Sequence, residues 1–333
     1  DEEAEFLAAH VVARTPEDGV SYERLAAAPF VLLVGFEPEE ESPIVYLRLR
    51  KVVRAGTTRV ATVAPFASRG SQKLDATLVD SVPGTEAGVL AGLPDDVRAA
   101  LAEPGAVILV GERLAGVTGG LSAASALADE TGAGLAWVPR RAGERGALDA
   151  GAFPTLLPGG RPVTDPVARV DVAAAWGVPR LPAEPGRDTS AILAAAADGS
   201  LGALVLGGVE PADLPTPRLL AEAASRAFTV SLEIRASDVH EHADVVLPVA
   251  ATVEKDGTFV DWEGRRRSFE TAVRSTHRSD AWALDALATE LGSPLGATDA
   301  AAARHELDEL GTWDGERAAA PTRSPQALPA GTV

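Results

Sequence analysis

The stretch ADVVLPVAATVEKDGTFVDWEGRRRSF, residues 243–269, decides how the rest of the chain is interpreted. It opens with the apolar run 245–247, which Pro248 ends because proline cannot donate a hydrogen bond to a neighbouring strand. We therefore expect a short buried strand that ends at a loop. The Asp-Gly pair at 256–257 then predicts a turn, and residues 258–260 return to side chains that favour strands.

Outward from this stretch, apolar strands alternate with helices along most of the chain. The run 30–35 ends in a glycine, a helix is predicted for 43–54, and a second strand for 58–63. A strand–helix–strand order of this kind predicts parallel pairing in one sheet. The same order recurs, with strands predicted at 106–110, 135–138, 203–206 and 228–232 and helices at 121–131, 188–199, 216–226 and from Asp280. The chain is thus predicted to be an α/β protein.

Two segments of the chain repeat each other. VLLVGFEPEEESP at 31–43 and ALVLGGVEPADLPTP at 203–217 share an apolar strand, a glycine, Glu-Pro and a second proline before a helix. Any strand-to-helix junction collects glycine and proline, but the shared order favours a true repeat. We predict two related α/β halves, whose matching loop positions are Gly35, Glu37 and Pro38 in the first and Gly207, Glu210 and Pro211 in the second.

Composition shifts divide the chain into five predicted parts. Gly, Pro and Arg are frequent over 141–187, and the chain from Gly311 is polar and rich in Pro and Ala, which predicts disorder there. The parts are an acidic helical lead-in at 1–28, a first α/β lobe at 29–140, a crossing segment at 141–187, a second α/β lobe at 188–293, and a C-terminal helix with a disordered tail at 294–333.

Composition also excludes several classes of function. The formal net charge of −18 disfavours nucleic acid and anionic membranes as partners and favours a basic protein surface. The chain has no cysteine, which excludes disulfides, thiolate nucleophiles and cysteine-ligated iron–sulfur clusters within it. No apolar run approaches the roughly 20 residues of a membrane span, so we expect no direct membrane insertion. Because the chain also lacks methionine, we expect it to be a piece of a longer protein.

Three linked motifs carry a family resemblance. ADVVLP at 243–248, EKDGTFV at 254–260 and EGR at 263–265 resemble the segment that closes the large α/β region in the molybdopterin oxidoreductase superfamily. In particular, they are similar to the G-subunit family of bacterial NADH:quinone oxidoreductase, respiratory complex I. The resemblance covers about residues 28–293 and also includes PGTE at 83–86, GALDAG at 146–151 and LPGGRPV at 157–163. It implies two related Rossmann-like parallel-sheet lobes of the molybdopterin oxidoreductase type.

The resemblance also implies that this chain is cofactor-free. In superfamily members that bind a pterin dinucleotide, the loops similar to the two Glu-Pro loops read roughly GSNP and GENP. Here the first reads GFEP at 35–38 and is followed by three more glutamates at 39–41, and the second has Val-Glu at 209–210. Clustered carboxylates would repel a pyrophosphate at short range. Residues 64–66 read Ala-Pro-Phe, where the superfamily often has an acidic residue followed by Pro-Arg. We expect these loop positions to be vestigial.

The function expected from the resemblance is structural. The chain would be an assembly portion of the G subunit in the peripheral arm, supporting electron transfer from NADH to quinone without a catalytic site of its own. The resemblance implies iron–sulfur clusters in a missing N-terminal region of the parent, other complex I peripheral-arm subunits as partners, and a peripheral location at the cytoplasmic face of the bacterial plasma membrane. The alternatives are a formate-dehydrogenase-like oxidoreductase that binds a molybdopterin dinucleotide, and an unrelated two-lobed ligand-binding protein.

Other candidate sites are weaker. His240 and His242 are spaced to share one face of a strand, but no third ligand is near in sequence, so a polar loop is the favoured interpretation. The arginines at 265–267 could bind phosphate, although pairing with acidic side chains or with a partner subunit is favoured. We expect no catalytic residue and no metal ligand. The tryptophans at 137, 176 and 282 are expected to pack in the core or between lobes.

Overall fold

The apolar runs of the first half of the chain lie side by side in one parallel sheet. In the computed structural model, which describes residues 2–325, this sheet contains β1 (Phe30–Val34), β2 (Arg59–Ala64), β3 (Thr77–Asp80), β4 (Val107–Gly111) and β5 (Gly134–Val138). The strand order is β3-β2-β1-β4-β5, and every pair is parallel. All residues of β1 are buried, because helices cover both faces of such a sheet. The predicted α/β class with a parallel sheet is confirmed.

Nine helices accompany this sheet within the described residues. They are α1 (Glu2–His10), α2 (Tyr22–Ala27), α3 (Pro38–Glu41), α4 (Pro43–Arg54), α5 (Arg69–Lys73), α6 (Glu86–Ala91), α7 (Asp95–Leu101), α8 (Gly120–Thr131) and α9 (Glu144–Asp149). Helix α4 has the predicted bounds. Its apolar face, with Val45 and Leu49, packs on Leu33 and Leu109 of the sheet in one core cluster.

A second parallel sheet is smaller and has three strands. It contains β8 (Ala203–Gly207), β9 (Phe228–Glu233) and β10 (Val245–Pro248) in the order β10-β9-β8. The remaining elements are β6 (Leu156–Leu157) and β7 (Arg161–Pro162), the hairpin of β11 (Gly257–Val260) and β12 (Arg266–Phe269), and helices α10 (Pro166–Ala175), α11 (Thr189–Ala197), α12 (Pro217–Arg226), α13 (Asp280–Glu290) and α14 (Ala300–Leu310). Two related parallel-sheet lobes, as predicted, are therefore present, and the second has three strands.

The local backbone supports the predicted repeat. Glu37 and Glu210 both precede a short helical turn that begins with proline, and a proline also begins each of the longer helices α4 and α12. Gly35 and Gly208, each two residues before its glutamate, have nearly equal left-handed φ angles of 59° and 60°. Glycine tolerates this conformation because it has no Cβ. Gly208, and not the predicted Gly207, is therefore the counterpart of Gly35.

The predicted burial of the strand at 245–247 is wrong. The strand exists, but β10 is at the edge of its sheet, and Val245 and Val246 are each 38% exposed. An apolar run does not distinguish an edge strand from a central one. The tryptophans at 137, 176 and 282 also differ in their exposure. Trp137 is buried, whereas Trp176 and Trp282 are 45% and 43% exposed, so they do not pack in the core. The alternative for these two, packing between lobes, stays a prediction.

Two compact units organise the described chain. The first is built from the chain up to Gly151, the hairpin tip Phe259–Arg267 and the segment that starts at Asp314; the second contains Ala152–Thr258 and Ser268–Trp313. The sequence-based division into five parts remains a prediction, and it is finer than these two units. Among residues 2–325, no helix is long and apolar enough to cross a membrane.

The segment after α14 differs from the predicted disordered tail over residues 311–325. Arg317 donates hydrogen bonds to the carbonyl oxygens of Ala9 and Val12, at 3.1 and 2.6 Å, near the end of α1. Helix-end carbonyls lack intrahelical donors, so this guanidinium satisfies them. The rest of the predicted disordered tail, residues 326–333, lies outside the described residues.

The ends of β1 and β4 touch through their backbones. A Cβ placed on Gly111 would lie 2.3 Å from the carbonyl oxygen of Gly35. A Cβ placed on Gly35, which has positive φ, would lie 3.0 Å from the backbone nitrogen of Leu114. Because the obstructing atoms are backbone, neither position accepts a side chain without moving a strand end.

Gly111→Ala is expected to destabilise the protein by about 2–3 kcal/mol, because the new methyl group meets the Gly35 carbonyl. Gly116→Ala is the matched control in the same loop, since nothing lies within 4 Å of its Cβ position. Urea denaturation of both variants measures the difference. Equal stabilities would show that the two strand ends are not held in contact.

Candidate functional site

A cavity of about 560 Å³ lies at the carboxyl ends of β1 and β2, where ligands bind in open α/β sheets. The first Glu-Pro loop reaches it through Gly35 and Glu37, so the structure places this predicted loop at the cavity. Much of the wall is apolar, with Phe36, Val63, Pro65, Phe66, Leu114 and Val117 among the lining residues. Phe66, at the position where the superfamily often has an arginine, is 68% exposed. Phe66 therefore offers an apolar contact where a phosphate ligand would need a cation, although the cation Arg113 also lines the cavity.

Glu37 places its carboxylate against the adjacent loop. Its Oε1 accepts a hydrogen bond from the Glu39 backbone N–H at 3.3 Å, at the start of α3. The same oxygen lies 2.0 Å from the position a Cβ would take on Gly70, in the first turn of α5. N–H groups in the first turn of a helix lack intrahelical partners and favour negative charge. Glu37 supplies that charge to the start of α3, where it is the N-cap residue.

Two of the other glutamates in this loop are paired with cations. Glu39 forms an ion pair with Lys73 of α5, and Glu41 forms one with Arg113 after β4. The Glu41 side chain is only 8% exposed. The expected repulsion of a pyrophosphate by an open run of carboxylates is therefore weaker than the sequence suggests. Glu39 and Glu41 instead engage cations that lie next to the loop.

A second carboxylate occupies the beginning of helix α8. Glu2 Oε2 accepts from the Gly119 N–H at 2.7 Å, and Glu2 Oε1 accepts from the Ser122 N–H at 2.8 Å and the Ser122 hydroxyl at 2.9 Å. Helix α8 follows β4, on the other side of the point where the strand order reverses, and such helix N-termini bind phosphate in dinucleotide-binding folds. An external anion would have to displace Glu2. Sequence reasoning missed this residue, since Glu2 reads only as part of an acidic helix.

The second Glu-Pro loop is more open. Glu210 forms an ion pair with Arg235 at 3.3 Å, and both side chains are substantially exposed. Gly207 ends β8, Gly208 turns the chain, and Pro211 begins a short 3-10 helix. The predicted positions thus form a strand-end loop, and an exposed pair such as this adds little stability.

The other sequence candidates do not form a site together. His242 Nδ1 lies 3.2 Å from the Ser225 hydroxyl oxygen. Neither histidine belongs to a metal site, because no group of three or more His, Asp or Glu side chains in residues 2–325 has the geometry to hold a metal. Within the arginine run, Arg265 donates to Glu263 at 2.7 Å, in agreement with the favoured pairing to acidic side chains.

Three glutamates gather near the carboxyl ends of β4 and β5. Burial, together with the neighbouring carboxyl group of Glu112, raises the pKa of Glu144 to about 7, and Arg141 only partly opposes this. Burial and the Glu112 charge also raise the pKa of Glu3. Glu144 Oε2 is buried and has no hydrogen-bond donor among the described residues. No local pattern in the sequence signals this cluster, because its members lie in separate segments.

Two parallel sheets, each with a Gly-x-Glu-Pro loop after one of its strands, define an α/β protein with Rossmann-like lobes. The chain belongs to the molybdopterin oxidoreductase family, whose model matches residues 10–290. It is 58% identical over 326 residues to the G subunit of NADH-quinone oxidoreductase from Mycobacterium tuberculosis, covering 96% of this chain and 40% of that protein. It is 51% identical to the G subunit from Streptomyces coelicolor, covering 98% of this chain and 42% of that protein. The predicted resemblance is confirmed.

More distant relatives share the fold. Formate dehydrogenase H of Escherichia coli is 32% identical over 158 residues, which cover 45% of this chain and 22% of that protein. The solved structure of acetylene hydratase from Pelobacter acetylenicus matches with a TM-score of 0.59 at 13% identity, over 92% of this chain and 53% of that chain. At this identity the likeness shows the fold alone.

Glu2→Gln is expected to lower the free energy of unfolding by about 1 kcal/mol, because the neutral amide loses the charged interaction with the α8 N-terminus. Glu17→Gln, an exposed position in the following loop, is the control and should change stability by less than about 0.5 kcal/mol. Chemical denaturation measures both. A Glu2→Gln variant as stable as the control would show that Glu2 does not cap α8.

Glu144→Gln is expected to remove a pH dependence of stability. The folded carboxyl keeps its proton up to about pH 7, whereas the unfolded one releases it near 4.5, so wild-type stability falls as pH rises through this window. After discounting for solvent screening, the variant should be about 1 kcal/mol more stable than wild type at pH 8 and equal to it near pH 4. Thermal melts across this range measure the difference. A gap that does not grow with pH, or that also appears in the exposed variant Glu40→Gln, contradicts the assignment.

Proposed function

We propose that the chain is a structural and assembly portion of the G subunit of a bacterial respiratory NADH:quinone oxidoreductase. Its identity to the mycobacterial and Streptomyces G subunits extends over nearly its whole length and supports this placement. The chain spans about two fifths of the length of these relatives, at 40% and 42%. The remainder of the parent would carry the iron–sulfur clusters, since this chain has no cysteine to ligate them.

One structural observation carries the non-catalytic part of the proposal. The helix N-termini of α8 and α3, at the carboxyl ends of the first sheet, hold the carboxylates of Glu2 and Glu37. A pterin dinucleotide binds through its pyrophosphate, and the residues present do not fit that group. The loop positions Gly35, Glu37, Pro38, Gly207, Glu210 and Pro211 are on this view vestigial, and no residue of the chain is catalytic.

The partners that this function implies are other subunits of the peripheral arm. The net charge of −18 favours contacts with basic surfaces on those subunits, which low ionic strength would strengthen. The complex would hold the chain at the cytoplasmic face of the plasma membrane as a peripheral component, without insertion.

Deletion of the region that matches this chain from the parent protein tests the assembly role. We expect much less assembled complex on native gels. In the complex that still forms, turnover from NADH to quinone and the iron–sulfur signals in electron paramagnetic resonance should be retained. Normal assembly of the shortened protein would contradict a structural role. Full assembly with no turnover would show that the region is catalytic.

A second candidate function is that of a molybdopterin-binding oxidoreductase. The partial similarity to formate dehydrogenase H and the strand-end cavity of about 560 Å³ favour it. Elemental analysis for molybdenum and tungsten, with pterin fluorescence, on the purified parent protein separates the two candidates. The structural proposal expects neither metal nor pterin, and a stoichiometric amount of either overturns it.

A further inference from the structure

A second cavity, of about 200 Å³, lies in the first unit along the strand β5. Its lining comes from the end of α1 and the following loop, from residues 134–137 of β5, from α9 and from the hairpin tip at Trp262 and Glu263. It shares no lining residue with the strand-end cavity. Its volume is below the roughly 300 Å³ at which pockets for drug-sized ligands begin, so it can hold only a small ligand.

Three arginines line this cavity, although the chain carries a net charge of −18. Arg24 donates to the Gly19 carbonyl and has no carboxylate partner among the described residues. Arg14 lies 3.6 Å from Asp18, at the upper end of ion-pair distances. The third is Arg145. Its guanidinium is almost fully buried and is fixed by Asp149 at 3.0 Å and by the Arg14 carbonyl at 2.9 Å.

The positive charges around this cavity act on their neighbours. Burial is the main cause that lowers the pKa of His10, and the charges of Arg14 and Arg317 lower it further despite an opposing effect of Asp129. Burial, followed by the charge of Arg14, likewise lowers the pKa of Arg317. Repulsion among neighbouring cations is unfavourable, and a bound anion would reduce it.

Neutral donors complete the cavity. Trp262 is 7% exposed, and the Tyr22 ring packs edge-on against its indole at 5.1 Å. Within the described residues, strand β5 pairs with β4 alone and is an edge strand. The Gly134 N–H donates to the Ala106 carbonyl oxygen, on the β4 side of the strand. Successive N–H groups along a strand point to alternate sides, so the Leu135 and Trp137 N–H groups point to the outer edge of the sheet. N–H groups at the outer edge of a sheet have no strand partner on that side and can donate to a ligand.

We propose that this cavity binds a small anion, a carboxylate or an inorganic oxyanion, through the guanidinium groups of Arg14 and Arg24, with the outward N–H groups of β5 as further donors. The planar guanidinium presents paired donors that match carboxylate and oxyanion geometry. Arg145 positions Arg14 through the Arg14 carbonyl. This site is independent of the assembly role and does not involve the loops at the strand-end cavity.

Titration of the purified chain with inorganic phosphate and with succinate tests the proposal, in buffer of low ionic strength. Isothermal calorimetry and intrinsic tryptophan fluorescence are suitable readouts because Trp137 and Trp262 both line the cavity. We expect saturable binding of at least one of the two anions to one site. A lower dissociation constant for phosphate identifies the ligand as an oxyanion, and a lower dissociation constant for succinate identifies it as a carboxylate.

Two variants and a control localise the binding. Arg24→Gln should raise the dissociation constant at least about tenfold, and Arg14→Gln, which keeps the backbone carbonyl that holds Arg145, should raise it severalfold. Arg54→Gln, an exposed position at the end of α4, should leave it unchanged. Circular dichroism melts establish that each variant is folded, and Arg14→Gln provides the test if Arg24→Gln is not. No saturable binding to the wild type overturns the site. Equal weakening in Arg54→Gln and Arg24→Gln also overturns it, because it shows diffuse electrostatic attraction.

Discussion

The contact between the ends of β1 and β4 is the constraint on which the first unit depends. These strands are neighbours at the point where the sheet reverses its order, and Gly35 and Gly111 allow their backbones to meet there. A crevice opens at this point in dinucleotide-binding folds. Close packing at these glycines fixes the paths of the two loops that follow, and it therefore determines where Glu37 and Arg113 lie.

Carboxylates from the chain then take the positions that this architecture offers to anions. Glu2 satisfies the first N–H groups of α8, and Glu37 accepts a hydrogen bond from the Glu39 N–H at the start of α3. The interaction is the one that helix N-termini make with phosphate, supplied here by side chains. Lys73 and Arg113, cations that could have faced a ligand, are paired with Glu39 and Glu41 instead. We infer that the architecture of a binding site has been retained, while the polar groups that could have bound a ligand now make contacts that stabilise the protein.

The fold was largely predictable from the sequence, because apolar runs that end in glycine or proline mark parallel strands and their loops. The bounds of α4 and the Gly-x-Glu-Pro repeat follow from local signals of this kind. The exposure of β10 could not be predicted from the sequence, since nothing in residues 245–247 shows that this strand is at a sheet edge. The site was only partly predictable. The glutamate run was visible, but its pairing with Lys73 and Arg113 arises from tertiary packing. Glu2 is 117 residues from Gly119, and no local pattern links them.

Nuclear magnetic resonance of the amide groups of Gly119 and Ser122 tests this inference most directly. Guanosine diphosphate, which carries a pyrophosphate of the kind found in a pterin dinucleotide, is titrated into the wild-type chain and into Glu2→Gln. We expect the wild-type amide signals to remain in place, and the same signals to be shifted by the Glu2→Gln substitution itself, because the carboxylate is their partner. Saturable shifts of these amides on nucleotide addition to the wild type would show that the position still accepts a phosphate ligand.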